Sequence, residues 1–122
     1  MAKDYTKYQV EGLEGQYSKA RLVQAVIQDY ITKNNPPLEQ LKTTFPNSLQ
    51  GNKGLISKLN EIEKERYFYV KEPITLSDGT QIALGNQWGK GNIDNFITHA
   101  KTLGYSIFTE AVVKEDSALD EE

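Results

Sequence analysis

"RYFYVKEPITLSDGTQIALGN", residues 66–86, is where the periodicity of the chain turns from helical to alternating. β-Branched and aromatic residues dominate it, and Asp78-Gly79 marks a hairpin turn within it. The length of the loop decides which faces meet. A two-residue loop pairs Leu76 with Gln81 and Thr75 with Ile82, which mixes apolar and polar faces. A three-residue loop, Ser77-Asp78-Gly79, pairs Ile74 with Ile82 and Leu76 with Thr80, with Glu72 opposite Leu84. That register gathers Ile74, Leu76, Ile82 and Leu84 on one face, so it is the one expected, with Gly79 in the left-handed region.

Upstream, the period is helical. In residues 16–35 Val23, Val26, Ile27 and Tyr30 recur on one stripe, widened by Leu22 and Ile31. Pro36-Pro37 ends this helix, because each proline pushes the residue before it out of the α region. Pro37 then opens a short second helix with Leu38, Leu41 and Phe45 inward. A third helix is expected over residues 53–65, where Leu55, Ile56, Leu59 and Ile62 share a face; Gly51 and Gly54 weaken its start. Before residue 16 the chain is glycine-punctuated and expected to be weakly structured, with Tyr5, Tyr8, Val10 and Leu13 able to supply an edge strand.

Downstream lies "LGNQWGKGNIDNF", residues 84–96, with three glycines, the only tryptophan and a lysine. A phosphate loop of the Walker type needs four residues before its Gly-Lys pair and a Ser or Thr after it; neither spacing nor residue fits here. A dinucleotide fingerprint starting at Gly89 would need Gly or Ala at Asp94. The stretch is a strand-to-helix corner with Asn92 expected as the N-cap. Trp88, flanked by Asn86, Gln87 and Lys90, is more than a corner needs; it is either a lid on the core or a contact residue. The helix after it, residues 93–103, turns Ile93, Phe96, Ile97, Ala100 and Leu103 inward and stops at Gly104; "YSIFTE" reads as a last strand.

The chain has 122 residues, 38% hydrophobic and 25% charged, which suits one soluble domain. There is no cysteine and one histidine, His99, so disulfides, thiolate chemistry and ordinary zinc sites are excluded. His99 has no nucleophile or carboxylate at a telling spacing and is expected to be structural. Neither a membrane span nor a signal peptide is legible, and a cytoplasmic location is expected. The net charge of −3 divides unevenly: residues 111–122 hold one lysine and five acids, leaving 13 basic and 12 acidic residues in the rest. A nearly neutral body, residues 16–110, is thus expected to carry an acidic, disordered tail.

The element order, three short helices, a hairpin, then a further helix and short strand, is that of an α+β, winged-helix-like domain with an extension. In such folds the third helix and the hairpin commonly meet nucleic acid, which makes Gln50, Asn52, Lys53, Ser57 and Lys58 one candidate contact group. Asn86, Gln87, Trp88 and Lys90 at the corner are the other. No catalytic or metal-binding residue and no cofactor is expected.

"YSKARLVQAVIQDYI", "LEQLKTTFPNSLQG" and "ITLSDGTQIALGNQWGKGNIDNFITHAKTLGY" together resemble a small bacterial and phage domain found alone or beside restriction-type and other DNA-handling proteins. The resemblance runs from about Gln16 to Ile107 and is most specific at Phe45-Pro46…Leu49-Gln50-Gly51 and Asn86-Gln87-Trp88-Gly89…Gly91-Asn92-Ile93. It implies a place in defence or mobile-element biology and supplies no catalytic residue. The expectation is a non-enzymatic domain whose partner is DNA or a DNA-processing protein. The alternative is a protein-binding inhibitor or adaptor, such as a phage antagonist of a bacterial nuclease. The scarcity of spare cations on the body keeps the two close, since non-specific DNA affinity rests on neutralised phosphates.

Overall fold

The stripe of Leu22, Val23, Val26, Ile27 and Ile31 forms helix α1, Lys19–Asn34, in the computed structural model, which describes residues 7–51 and 54–110. All five of these side chains are buried. The expectations for the acidic tail, for Asn52 and for Lys53 fall outside the described residues. Asn35 closes α1 in the left-handed region at φ 48, and Pro37 caps the short helix α2, Leu38–Thr44, as the proline pair demands.

Strand β1, Lys7–Val10, precedes α1 and pairs antiparallel with residues 107–110, so an edge strand forms with Tyr8 and Val10, while Leu13 lies past its end and Tyr5 lies outside the described residues. The Tyr8 and Val10 side chains are buried, at 4% and 2% exposure. Tyr17 bridges the other side of β1 through reciprocal main-chain hydrogen bonds with Tyr8 of 2.8 and 2.9 Å.

The helix expected over residues 53–65 is not there. Ile56–Lys58 is strand β2, and Leu59–Glu61 and Glu65–Tyr67 are single 3-10 turns. Two long-range demands override the local pattern. The Asn47 side chain accepts the main-chain N–H of Leu55 (2.9 Å) and of Ile56 (3.2 Å), which holds this segment extended. The hairpin also needs a third strand, since two strands alone rarely persist in water. Leu55 and Ile56 are buried by either fold, so the apolar pattern could not choose between them.

The hairpin itself follows the three-residue register. Strands β3, Ile74–Thr75, and β4, Gln81–Leu84, pair Ile74 with Ile82 and Thr75 with Gln81. The Leu76 N–H donates to the Thr80 carbonyl at 2.8 Å, and Gly79 sits at φ +91 where a side chain would be strained. The Asp78 carboxylate accepts the Thr80 N–H, and that bond holds its pKa below the usual range. The ladder does not reach Glu72. Tyr69 instead donates to the Leu84 carbonyl at 2.9 Å, and the chain turns so that Glu72 meets α1. The sheet order is β2-β4-β3, all antiparallel.

Helix α3, Lys90–Thr102, and strand β5, Ile107–Glu110, complete an α+β fold with a second, two-stranded sheet of β1 and β5. Ile93, Phe96 and Ala100 of α3 join the core, while Leu103, expected inward, is 37% exposed because it lies past the last helical turn. Phe45 centres the aromatic packing: its ring is 5.4 Å from Tyr30, 6.0 Å from Phe96 and 6.1 Å from His99. His99 is half-buried, and its Nε2 hydrogen-bonds the Thr44 carbonyl at the end of α2, which is a structural role.

Arg21 of α1 grips Glu72 through both carboxylate oxygens, at 2.5 and 3.3 Å, and its guanidinium lies 4.4 Å from the Tyr69 ring centre. Gln24 adds a bond of 3.0 Å to the same carboxylate. The Arg21 and Gln24 hydrogen bonds lower the Glu72 pKa to about 2, from an ordinary value of 4.5. A depressed carboxyl stabilises the fold above its unfolded pKa and loses that effect as pH falls through its folded one. Melting temperatures of the wild type and Glu72→Gln should therefore differ at pH 6 and converge as pH falls from 4.5 towards 2. A difference constant with pH would show that the pair does not contribute.

Candidate functional site

β4 continues past Leu84 into a corner, residues 85–89, that both neighbouring segments grip at its root. The Gly85 N–H donates to the Leu55 carbonyl at 2.7 Å on the β2 side. On the other side Phe68 bridges Gly85, and the Asn86 N–H donates to the Tyr67 carbonyl at 2.9 Å. Gly85 is a requirement of this approach: a Cβ there would lie 2.4 Å from the Gly54 carbonyl oxygen.

Beyond Asn86 the neighbouring strands end, and side-chain amides replace them. The Gln87 carbonyl accepts Gln50 Nε2 at 2.7 Å and Asn92 Nδ2 at 3.1 Å. Asn92 Nδ2 also donates to the Gln50 carbonyl at 3.0 Å, and Asn92 Oδ1 accepts the Gly89 N–H at 2.8 Å. Gln50 is 8% exposed, so these bonds satisfy a buried amide. Asn92 was expected as the N-cap of α3; the N-cap is Gly89, and Asn92 sits three residues on, reaching back to the cap N–H as the third residue of a capping box does. The spacing of Gly89 and Asn92 carried that signal.

Trp88 packs on the core and also lines an open depression. It is half-buried, its Nε1–H donates to the Gly85 carbonyl at 2.9 Å, and its ring meets Phe96 edge to face at 5.7 Å. The outer part of the indole, with Gln50, Asn86, Gln87 and Gly89, lines an open depression of about 470 Å³. Gln87 Nε2 donates to Asn86 Oδ1 at 2.7 Å, which sets the two exposed amides against each other. Among the described residues the lining is made of carboxamides, glycines and an indole, with no titratable side chain. Such a surface recognises by shape and neutral hydrogen bonds.

The fold therefore brings Gln50, Asn86, Gln87 and Trp88 together. Lys90 is the first residue of α3. Ser57 and Lys58 lie on β2, not on a helix face. Lys58 lines a different depression, of about 510 Å³, with Leu59, Asn60, Thr80 and Gln81 beside the hairpin tip. A third hollow, of about 340 Å³, includes Asp29, Lys33 and Tyr105. Two of its charges are paired: Asp29 accepts the Tyr105 hydroxyl at 2.9 Å and pairs with Lys33 at 3.1 Å. Burial, then the bond to Asp29, raises the Tyr105 pKa.

No family model, no curated protein and no solved structure matches the chain. Among the described residues no group of three or more His, Cys, Asp or Glu side chains could hold a metal ion, and no helix is long and apolar enough to cross a membrane.

Proposed function

We propose that this chain is a non-enzymatic binding module that docks a protein partner through the depression at Trp88. It would act in the cytoplasm as an adaptor or inhibitor tied to a DNA-processing system. The observation that carries this reading is the prearranged, uncharged surface around a tryptophan whose own N–H is already satisfied. Protein interfaces concentrate their affinity in such rigid aromatic anchors, ringed by polar groups. Phosphate recognition would instead call for cations, and among the described residues the depression's lining presents none.

Direct nucleic-acid contact is the second reading, and one observation favours it. In a winged-helix-like use of the fold, β3 and β4 are the wing, and exposed Lys58 lies beside its tip with Asn60 and Gln81. Against it, Asp78 stands on the same tip, and the segment that would be the reading helix contains β2.

Capture from a bacterial lysate by the full chain, with and without nuclease, separates the two. The protein-partner reading expects capture that survives nuclease and weakens about tenfold or more in Trp88→Ala, a loss of about 1.4 kcal/mol or more. Circular dichroism must show that variant folded, and Lys58→Glu should capture normally. Nuclease-sensitive capture that is lost in Lys58→Glu and kept in Trp88→Ala would overturn it in favour of DNA.

A further inference from the structure

The segment Asn86–Trp88 follows β4 and its bridge at Gly85. On one side β2 ends its pairing at Ile56 opposite Leu84, Leu55 takes the Gly85 N–H, and the chain then leaves at Gly54 with φ +94. On the other side, pairing ends where Tyr67 takes the Asn86 N–H. Past that point the main chain has no strand neighbour among the described residues. The Gln87 carbonyl is held by two side-chain amides, which do there what a neighbouring strand's N–H would do. Among the described residues, the N–H groups of Gln87 and Trp88 and the carbonyl of Asn86 have no intramolecular partner. A main-chain donor or acceptor left over at a strand end is a template for another strand.

We infer that Asn86–Trp88 receives an extended, uncharged peptide segment of the partner, which pairs with the Asn86 carbonyl and the Trp88 N–H as an added strand and rests a side chain on the indole of Trp88. The inference rests on the protein-partner reading and specifies its mode. Three features converge on it. The main-chain N–H groups of Gly85 and Asn86 point to opposite sides, to Leu55 and to Tyr67, so the Asn86 carbonyl and the Trp88 N–H, two residues apart, share one edge, which is the geometry of strand addition. The described lining of carboxamides, glycines and the indole matches a backbone amide better than a charged side chain or a phosphate. The amide bonds of Gln50 and Asn92 fix this segment before any ligand arrives, which lowers the ordering cost of binding.

The test is an array of blocked, net-neutral octapeptides probed with the full chain, followed by N-methyl scanning of whichever peptide binds best, with Trp88 fluorescence as the readout. Methylating a peptide nitrogen removes one main-chain donor and leaves every side chain in place. Strand addition expects one or two positions to lose about tenfold or more, with adjacent positions, which face away, changing less than about twofold. The inference is overturned if no peptide binds, if N-methylation has a uniform or no effect, or if an uncharged peptide is displaced by a dT10 oligonucleotide. Those results, combined with nuclease-resistant capture that still depends on Trp88, would leave the protein-partner reading standing with a folded surface as the ligand.

Discussion

Gly85→Ala is expected to lower stability by about 3 kcal/mol, the upper part of the usual range for a group forced into a packed site. The methyl group would lie 2.4 Å from the Gly54 carbonyl oxygen and 3.5 Å from the Leu55 Cα. Both are main-chain atoms, so no flexible side chain can swing aside. Relief requires β2 to part from β4, which breaks the 2.7 Å bond from Gly85 to Leu55 and shifts the corner that β4 leads into. Thermal unfolding should show a fall in Tm of more than about 10 °C. A fall of only a degree or two would mean that β2 and the corner are not in this contact.

Phe45→Ala should cost about 3–5 kcal/mol, the range for deleting a fully buried aromatic ring. Phe45 has 0% exposure and joins α2 to α3 through Phe96 and His99, and to α1 through Tyr30. Its loss leaves a cavity that three elements border, so no single side chain can fill it. Urea unfolding would read the effect as a lower midpoint with an unchanged slope. Phe45→Leu, which restores much of the volume, should recover part of the loss; equal effects of the two substitutions would argue against a packing role.

The parts of this fold that were legible in the sequence are those that local chemistry decides. The register of β3 and β4 follows from face matching and from the one residue, Gly79, able to take a positive φ in the loop. The stripe of α1 and the inward side of α3 at Ile93, Phe96 and Ala100 follow from helical spacing. Residues 55–61 were misread because Leu55, Ile56 and Leu59 suit a helix face as well as a strand. The deciding bonds come from Asn47 and from β4, which no local window contains. The same limit applies to the site. Unusual composition singled out Asn86, Gln87 and Trp88. Gln50 was grouped with Lys58, and the fold separates the two: Gln50 turns inward to the corner, and Lys58 stands beside the hairpin tip. The Asn92 side chain makes two hydrogen bonds to the corner and a third to Gln50, yet one asparagine in a glycine-rich stretch announces little beyond a cap.

Residue-resolved amide hydrogen exchange across residues 85–89 tests most directly whether the corner presents a fixed but open main-chain edge. In the free chain the N–H groups of Gly85, Asn86 and Gly89, which donate to Leu55, Tyr67 and Asn92, should exchange slowly. Those of Gln87 and Trp88 should exchange at nearly the unprotected rate, and a bound partner should slow at least one of them. Slow exchange at Gln87 and Trp88 in the free chain, or fast exchange throughout the corner, would contradict the account.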